Sequence, residues 1–260
     1  MTYYSVLDRP EVSAVLFHPR PEWGESPYPA GTDVSIPVEA DVVLGGRFHM
    51  DKKESPNILF FHGNGEIVSD YDDMGPVYNR IGINFLPVDY RGYGRSTGNP
   101  TISSMMKDCS KVLIFISDWL RKQGCPGPLI VMGRSLGSAS AIELAAASPD
   151  RVAGLIVESG FAYAEPLLRL LGVDTKRLGF KEEEGFRNID KIKVFKKPTL
   201  IIHAEKDHII PFSDGRALYE ASGAEEKRFL KIAGANHNDI FARGLSEYMD
   251  AVAELVWKVQ

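Results

Sequence analysis

Short segments with the character of β-strands alternate with longer amphipathic segments along most of this chain. The strand-like segments end at glycine, proline or polar turn residues and occupy 57–61, 84–89, 129–132, 154–158, 199–203 and 227–232. The helix-length segments lie near 70–81, 103–122, 136–147, 212–222 and 239–257. Strands that alternate with helices in this way indicate a mostly parallel sheet covered on both faces. The pattern therefore predicts an α/β fold.

Three segments depart from this alternation. Residues 32–46 alternate around turn residues, as an antiparallel strand pair does. Residues 1–33 are rich in Pro, Tyr and Gly, which predicts an irregular lead-in that packs on the domain. The 161–190 connection is long, which is typical of a cap over a site, although a plain surface excursion is the alternative. We expect one domain over residues 1–260, with 161–190 as a cap insertion.

The composition of the chain indicates how large a hydrophobic core it can form and which classes of binding partner it disfavours. The 260 residues are 44% hydrophobic, enough for one substantial core. A net charge of -5, with no long cluster of Lys and Arg, argues against a nucleic-acid partner. No apolar run approaches the ~18 residues that span a bilayer, and Asp8, Arg9 and Pro10 interrupt any signal-peptide core, so we expect a cytoplasmic protein without a transmembrane segment. Cys109 and Cys125 are too few and too dispersed for a disulfide framework or a thiolate metal site.

The segment Gly133-Arg134-Ser135-Leu136-Gly137 matches the pattern G-x-S-x-G between a strand-like and a helix-like segment. A sharp turn from strand to helix strains the serine backbone and requires small residues two positions to either side. The turn would raise the Ser135 hydroxyl above the sheet, at a helix N-terminus that favours negative charge. A serine that only caps the helix is the alternative. The flanking strand and helix favour a nucleophile, provided that the chain supplies a base and an acid.

Candidates for the base and the acid follow in the order expected for such a turn, which is serine, acid, histidine. Asp207 comes just after the strand-like segment 199–203, and His237 precedes the last helix. Asp207 would orient His237, which would take the proton of Ser135 and return it to the leaving group. Glu158, at the end of another strand, is the alternative acid. His203 lies within an apolar strand and is interpreted as a packed, hydrogen-bonded core histidine.

The segment 60–66, which reads FFHGNGE, follows another strand and predicts an oxyanion-binding loop. The backbone N–H of Asn64 would pair with that of Leu136 to bind the oxyanion, with the Gly65 amide as the alternative. His62 is interpreted as a brace for this loop and Glu66 as a carboxylate at a helix start.

The same loop also offers a competing interpretation. A strand, Gly63-Asn64-Gly65, a helix and then Asp89 imitate a dinucleotide-binding fold, but Val68 occupies the third glycine position. The glycine-rich loop 89–98 lacks the lysine of a phosphate-binding loop. We therefore interpret it as structural, with Asp89 and Arg91 bonded to local backbone or to each other.

Taken in order, the segments HGNG, DYRGYGRS, GRSLG, HAEKDHIIP and NH resemble the α/β-hydrolase superfamily, particularly its Bem46-like branch, related to the serine aminopeptidase-like hydrolases. The resemblance spans about residues 34–257. It implies an eight-stranded, mostly parallel sheet, a Ser135–Asp207–His237 triad, and no metal or organic cofactor. The loop HGNGE departs from the commoner HGNA type, and residues 1–33 have no counterpart in the family.

We therefore expect a serine hydrolase that cleaves an ester or thioester through an acyl-enzyme. A peptidase of the same mechanism and a non-catalytic ligand-binding member of the fold are the alternatives. The partner would be a small-molecule or acylated substrate, and no oligomeric state is predicted. An acyl chain would suit the apolar side chains of the cap, which could instead only pack the cap on the sheet: Phe161, Tyr163, Leu167, Leu168, Leu170 and Leu171.

Overall fold

A computed structural model describes residues 4–24 and 31–259 of the chain. The described residues contain one sheet, with strand order β1-β2-β4-β3-β5-β6-β7-β8. The strands are β1 Thr32–Glu39, β2 Val42–Phe48, β3 Asn57–Phe61, β4 Asn84–Val88, β5 Leu129–Arg134, β6 Gly154–Glu158, β7 Thr199–Ala204 and β8 Lys227–Ile232. The pairs β1–β2 and β2–β4 are antiparallel, and all the other neighbours are parallel. The predicted eight-stranded, mostly parallel sheet is confirmed.

Helices connect the strands and cover the sheet. They are α1 Pro10–Leu16, α2 Gly75–Arg80, α3 Ile102–Gln123, α4 Gly137–Ala147, α5 Ala164–Leu170, α6 Thr175–Leu178, α7 Asn188–Ile192, α8 Phe212–Ala221 and α9 Ile240–Val259. Short 3₁₀ turns occupy Val68–Tyr71 and Glu182–Glu184. Within the described ranges, no helix is both long and apolar enough to cross a bilayer.

The lead-in is more regular than its composition suggests. Pro10 stands at the first helical position, where its missing N–H costs nothing, and Glu11 follows in the first turn. Val12 and Leu16, one turn apart, are both buried. The prediction of an irregular lead-in is therefore wrong for Pro10–Leu16. Residues 1–3 and 25–30 of the predicted lead-in lie outside the described residues.

The helix expected near 70–81 is two shorter elements, a 3₁₀ turn over Val68–Tyr71 and α2 over Gly75–Arg80. Pro76 causes the break, because proline has no N–H and is accepted in the first turn of a helix. The other predicted helices agree with the structure to within about two residues, which is the usual uncertainty of helix ends.

Two apolar layers hold the helices on the sheet. Alternate residues of each parallel strand face opposite sides, so Leu59 and Val131 pack under one helical layer while Ile58 and Ile130 pack under the other. The first layer includes Ile116 of α3. The parallel strands all run the same way, so their carboxyl ends lie at one edge of the sheet, and the loops that follow them meet there.

The 161–190 connection contains the short helices α5, α6 and α7. The Glu182 carboxylate accepts hydrogen bonds from the amides of Ala164 and Glu165, at 2.6 and 3.0 Å, which ties the end of the segment to its beginning. Its role as a cap, like the single-domain organisation, stays a prediction.

Candidate active site

Ser135 occupies a tight turn between β5 and α4. Its φ is +51°, a left-handed conformation that non-glycine residues rarely adopt. A Cβ at Gly133 would lie 2.2 Å from the carbonyl oxygen of Gly137, and one at Gly137 would lie 2.1 Å from that of Phe61. The turn therefore excludes any side chain at these two positions, and the predicted need for small residues around the serine is confirmed.

The structure brings the three predicted polar side chains into contact. His237 Nε2 lies 3.1 Å from Ser135 Oγ, and His237 Nδ1 lies 2.7 Å from Asp207 Oδ2. Both distances are within hydrogen-bond range. With Nδ1–H donating to the carboxylate, Nε2 is free to accept the serine proton. The arrangement can deliver an alkoxide-like oxygen at the tip of the turn.

Asp207 lies just beyond β7 and its side chain is fully buried. Its Oδ1 accepts hydrogen bonds from the amides of Ile209 and Ile210, at 3.0 and 2.8 Å. Burial on its own would raise the pKa of this carboxyl, but the hydrogen bonds from His237 and from the two amides outweigh burial and lower the pKa. Asp207 is thereby held as an anion that faces the histidine.

The candidate oxyanion donors are on two adjoining elements. Leu136 directly precedes α4, and Asn64 lies in the loop after β3; both line the same cavity as Ser135. The Asn64 side-chain oxygen accepts from the His18 amide at 2.9 Å and from the Tyr93 hydroxyl at 2.7 Å. Asn64 stays the candidate donor, with the Gly65 amide as the alternative.

The contacts of Arg134, the first variable residue of the glycine-serine motif, were not predicted from the sequence. Its Nε donates to Glu158 at 3.0 Å, its Nη1 bonds Glu66, and its Nη2 donates to the backbone carbonyl of His237 at 2.7 Å. Tyr71 bonds Glu66 at 2.6 Å, and Tyr248 bonds Glu158 at 2.7 Å. We call Arg134, Glu66, Glu158, Tyr71 and Tyr248 the Arg134 cluster. The only sequence signal was a charged residue close to the end of a buried strand.

Two earlier interpretations of glutamates change as a result. Glu158, the alternative acid, binds Arg134 and Tyr248, while Asp207 occupies the place beside His237. Glu66 is not a helix-start carboxylate, because the Asp70 side chain accepts from the Ile67 amide there, at 3.0 Å. Glu66 instead accepts from the amide of Gly63 at 2.7 Å and so fixes the loop that contains Asn64.

The two glutamates titrate in opposite directions. Full burial raises the pKa of Glu158, and its bonds to Arg134 and Tyr248 only partly oppose this effect. Burial would also raise the pKa of Glu66, but Arg134 and then the Tyr71 hydroxyl outweigh it, and the pKa falls below its usual value. The same guanidinium thus contacts one glutamate whose pKa is lowered and another whose pKa is raised.

The remaining histidines and the glycine-rich loop have structural contacts. His62 is buried, donates from Nδ1 to the Gly63 carbonyl at 2.8 Å, and faces Asp89 at 3.2 Å, so its bracing role is confirmed. Asp89 is buried as well and accepts from the Val68 amide at 2.9 Å, which leaves no open carboxylate for a ribose and opposes the dinucleotide interpretation. The expectation that Arg91 bonds local backbone or Asp89 is wrong, since within the described part of the chain its guanidinium bonds Asp108 and Glu39.

Arg91 pairs instead with Asp108 of α3 at 2.6 Å. His203 is fully buried, and its Nε2 donates to the Ile210 carbonyl at 3.0 Å, which confirms the interpretation of a packed core histidine. Among the residues the structure describes, no group of three or more His, Cys, Asp or Glu is arranged to hold a metal ion. The absence of a cofactor stays a prediction.

A cavity of about 180 Å³ opens beside Ser135. Its apolar wall comprises Leu16 of α1, Leu136, Leu167, Leu171 and Ile209. The apolar residues of the predicted cap therefore divide into three groups. Leu167 and Leu171 face the cavity, Phe161 and Leu168 are buried in the core, and Tyr163 and Leu170 are exposed.

Comparisons with known proteins agree with the fold. A family model described as serine aminopeptidase, S33, matches residues 52–178. Human alpha/beta hydrolase domain-containing protein 17B is 33% identical over 210 residues, which cover 78% of this chain and 68% of that protein. Protein bem46 of Schizosaccharomyces pombe is 29% identical over 189 residues, covering 71% of this chain and 62% of that protein.

The structure of the Pyrococcus furiosus esterase Pf2001 superimposes with a TM-score of 0.73 at 19% identity, covering 92% of this chain and 98% of that one. At this identity the likeness shows the fold alone. Fold and site together define the class of an α/β hydrolase. The chain belongs to the α/β-hydrolase superfamily, in the branch that its similarity to bem46 and to protein 17B marks, so the resemblance seen in its motifs is confirmed.

Proposed function

We propose that this protein is a serine hydrolase that cleaves a carboxylic ester or thioester through an acyl-enzyme. The observation that supports this most directly is the continuous hydrogen-bonded series from Ser135 Oγ through both nitrogens of His237 to a buried Asp207 carboxylate. A serine that only capped α4 would need neither a histidine at 3.1 Å nor a buried anion behind it. Family membership supports a hydrolase independently of this geometry.

In the first half of the reaction, Ser135 Oγ forms a bond to the substrate carbonyl carbon as its proton passes to His237 Nε2. The carbonyl oxygen becomes an oxyanion, which the amides of Asn64 and Leu136 stabilise, and Asp207 stabilises the imidazolium. The bond to the alcohol or thiol then breaks, and His237 gives its proton to that leaving group. Water repeats the sequence on the acyl-enzyme, which releases the acid and restores the Ser135 hydroxyl.

The cavity supports an apolar group of modest size on the substrate. A dry protein cavity of about 150 Å³ lined by Leu, Ile and Phe binds benzene, so about 180 Å³ gives room for a group of roughly six carbons. Its leucine and isoleucine wall suits an acyl chain, while Glu66 and Arg134 line the polar side of the same cavity. A peptidase of the same mechanism is the second candidate, because the matching family model describes serine aminopeptidases.

A fluorophosphonate probe tests the nucleophile without knowledge of the natural substrate. The wild-type protein should react with one equivalent of probe, and Ser135→Ala should not react, because the oxygen that bonds to the phosphorus as fluoride leaves is then absent. Hydrolysis of p-nitrophenyl esters and thioesters should fall by about 10⁴-fold or more in the same variant.

The matched control is Ser138→Ala, which removes the neighbouring serine hydroxyl that donates to the Ser135 carbonyl at 2.6 Å and leaves Oγ of Ser135 in place. This variant should still react with the probe. Labelling of Ser135→Ala would overturn the assignment of the nucleophile. A labelled wild type that cleaves peptides but neither esters nor thioesters would favour the peptidase.

A further inference from the structure

We propose that Arg134 is a positioning residue, which holds the serine turn, the oxyanion loop and the histidine loop in the arrangement that the reaction needs. The oxyanion loop is residues 62–66, and the histidine loop is residues 233–239, between β8 and α9. The inference deepens the proposed function and rests on it. Arg134 lines the cavity beside Ser135, but it bonds none of the reacting atoms in the hydrogen-bonded series.

The first argument is the set of contacts that one side chain makes. Arg134 belongs to the serine turn itself, its Nη1 bonds Glu66 of the oxyanion loop, and its Nη2 donates to the His237 carbonyl of the histidine loop at 2.7 Å. The segments it joins are 68 and 103 residues away along the chain. A single planar guanidinium therefore fixes the relative positions of three segments that are distant from one another in the sequence.

Close packing gives the second argument. A Cβ at Gly63 would lie 2.7 Å from Arg134 Nη1 and 2.9 Å from Glu66 Oε2, so the backbone of the oxyanion loop rests directly on the ion pair. The Gly63 amide donates to that same Glu66 oxygen at 2.7 Å. Any displacement of the guanidinium would thus move the residue that precedes Asn64, the candidate oxyanion donor.

The histidine loop supplies the third argument. Its beginning is held by Glu205, which accepts from the Gly234 amide at 2.8 Å, and its second half is closed internally, since the Asn236 amide donates to Asp239 at 2.6 Å. The backbone carbonyl of His237 is held by Arg134. Because this carbonyl and the imidazole share one Cα, the guanidinium constrains where the ring can stand between Ser135 and Asp207.

A lysine at position 134 cannot make the same set of hydrogen bonds as Arg134. Arginine presents five N–H donors in a fixed plane, whereas lysine carries one compact ammonium on a flexible stem. At position 134 an ammonium could bond one of the three acceptors well, but not Glu66, Glu158 and the His237 carbonyl together. The structure therefore requires the guanidinium geometry as well as the positive charge.

The experiment compares Arg134→Met and Arg134→Lys with Arg47→Met. Arg47 is also buried and bound by carboxylates, namely Glu22, Asp33 and Asp72. The readouts are the second-order rate constant for fluorophosphonate labelling, and kcat and KM for a p-nitrophenyl ester.

Both Arg134 variants should lose about 10- to 100-fold in labelling rate and in kcat, with KM changed less than about threefold. The reason is that displaced reacting groups affect the transition state more than substrate binding. Arg47→Met should keep a labelling rate within about twofold of wild type even where its melting temperature falls, as expected of a residue outside the reacting arrangement.

A second readout does not depend on turnover. The Nδ1 proton of His237, shared with Asp207, should give a downfield proton NMR signal in the wild type and in Arg47→Met. This signal should be lost or shifted in Arg134→Met. If that variant does not fold, Glu66→Gln, which keeps the shape but removes the charge that faces Arg134, should reduce the labelling rate about tenfold.

The outcomes separate the two proposals. A wild type that does not react, or a reactive Ser135→Ala, would overturn the proposed function, while the NMR signal would still report on Arg134. A reactive wild type whose Arg134→Lys and Glu66→Gln variants label at the wild-type rate and keep the signal would overturn the inference alone.

Discussion

Two buried arginines hold this protein together at different places. The Arg47 side chain is 2% exposed and binds Glu22 of the lead-in, Asp33 of β1 and Asp72 after the first 3₁₀ turn, at 3.1, 2.8 and 2.6 Å. We call these four residues the Arg47 cluster. The Arg134 side chain, 9% exposed, binds two carboxylates as well, but its third acceptor is the backbone carbonyl of His237.

The third acceptor shows that the two buried arginines, which both bind carboxylates, have different effects on the structure. In the Arg47 cluster every acceptor is a carboxylate side chain, and the effect is to fasten the lead-in to the edge of the sheet. In the Arg134 cluster one bond goes to the backbone of a candidate catalytic residue. A buried ion pair is by itself weak evidence of net stabilisation, because desolvation offsets the attraction, so its location is more informative than its presence.

The largest effect that tests this contrast is expected from Asp72→Ala. Asp72 is fully buried, and its removal leaves the buried Arg47 guanidinium short of an acceptor. Loss of one partner of a buried pair costs about 3–5 kcal/mol, so urea unfolding should show a decrease of this size in the free energy of unfolding. The fluorophosphonate labelling rate of the folded fraction should remain that of the wild type. A labelling rate that falls as far as in Arg134→Met would remove the distinction between the two clusters.

A smaller effect, on the pH dependence of stability, distinguishes the two glutamates of the Arg134 cluster. The pKa of Glu66 is lowered from its usual 4.5, so its stabilising contribution is present above about pH 4.5 and is lost as the pH falls through the lowered value. The stability advantage of wild type over Glu66→Gln should therefore shrink as the pH falls from about 6 to below 4.5.

Glu158 should behave in the opposite way. Its pKa is raised by burial, so its contribution is present below about pH 4.5 and is lost as the pH rises through the raised value. Wild type should lose stability relative to Glu158→Gln as the pH rises from about 4 to 7. Urea unfolding at several pH values measures both differences, with circular dichroism as the control for a native fold. Parallel pH curves for the two variants would contradict the opposite directions of titration.

The smallest effect is expected at the contact between the lead-in and the oxyanion loop. His18 Nδ1 accepts from the Asn64 side-chain amide at 2.8 Å, at an exposed position, while the His18 backbone amide donates separately to Asn64. His18→Ala removes only the ring contact, and a single exposed hydrogen bond contributes about 1 kcal/mol or less. The labelling rate should fall by no more than about threefold. Asn64→Ala, which removes the side chain from both contacts, should reduce the rate further, and a larger loss in His18→Ala than in Asn64→Ala would contradict this account.

The parts of the fold that were predictable depend on local sequence. The strands β3 and β6 agree residue for residue with their apolar segments, because a buried parallel strand is a short continuous run between turn residues. The serine turn is likewise contained in five consecutive residues. Asp207 and His237 were found because each follows a strand at the edge of the sheet where loops converge.

What sequence reasoning missed involves contacts between distant segments. Arg134 occupies the variable position of its motif, and nothing in its neighbours indicates that it meets Glu66 and His237. Helix α1 carried the usual signals, proline at the first position and acid in the first turn, but the Pro and Gly content around it concealed them. The interrupted helix at Gly75 and Pro76 carried a signal as well, since that dipeptide commonly marks a break.

The cavity beside Ser135 takes much of its wall from parts of the chain that supply none of its reacting groups. Leu16 comes from α1, and Leu167 and Leu171 come from the connection between β6 and β7, whereas Ser135, Asp207 and His237 stand at strand ends. Under the proposed function, selectivity and bond-breaking belong to separate stretches of polypeptide. A different substrate would then be accommodated by changes in the outer wall of the cavity, while the three reacting side chains keep their geometry.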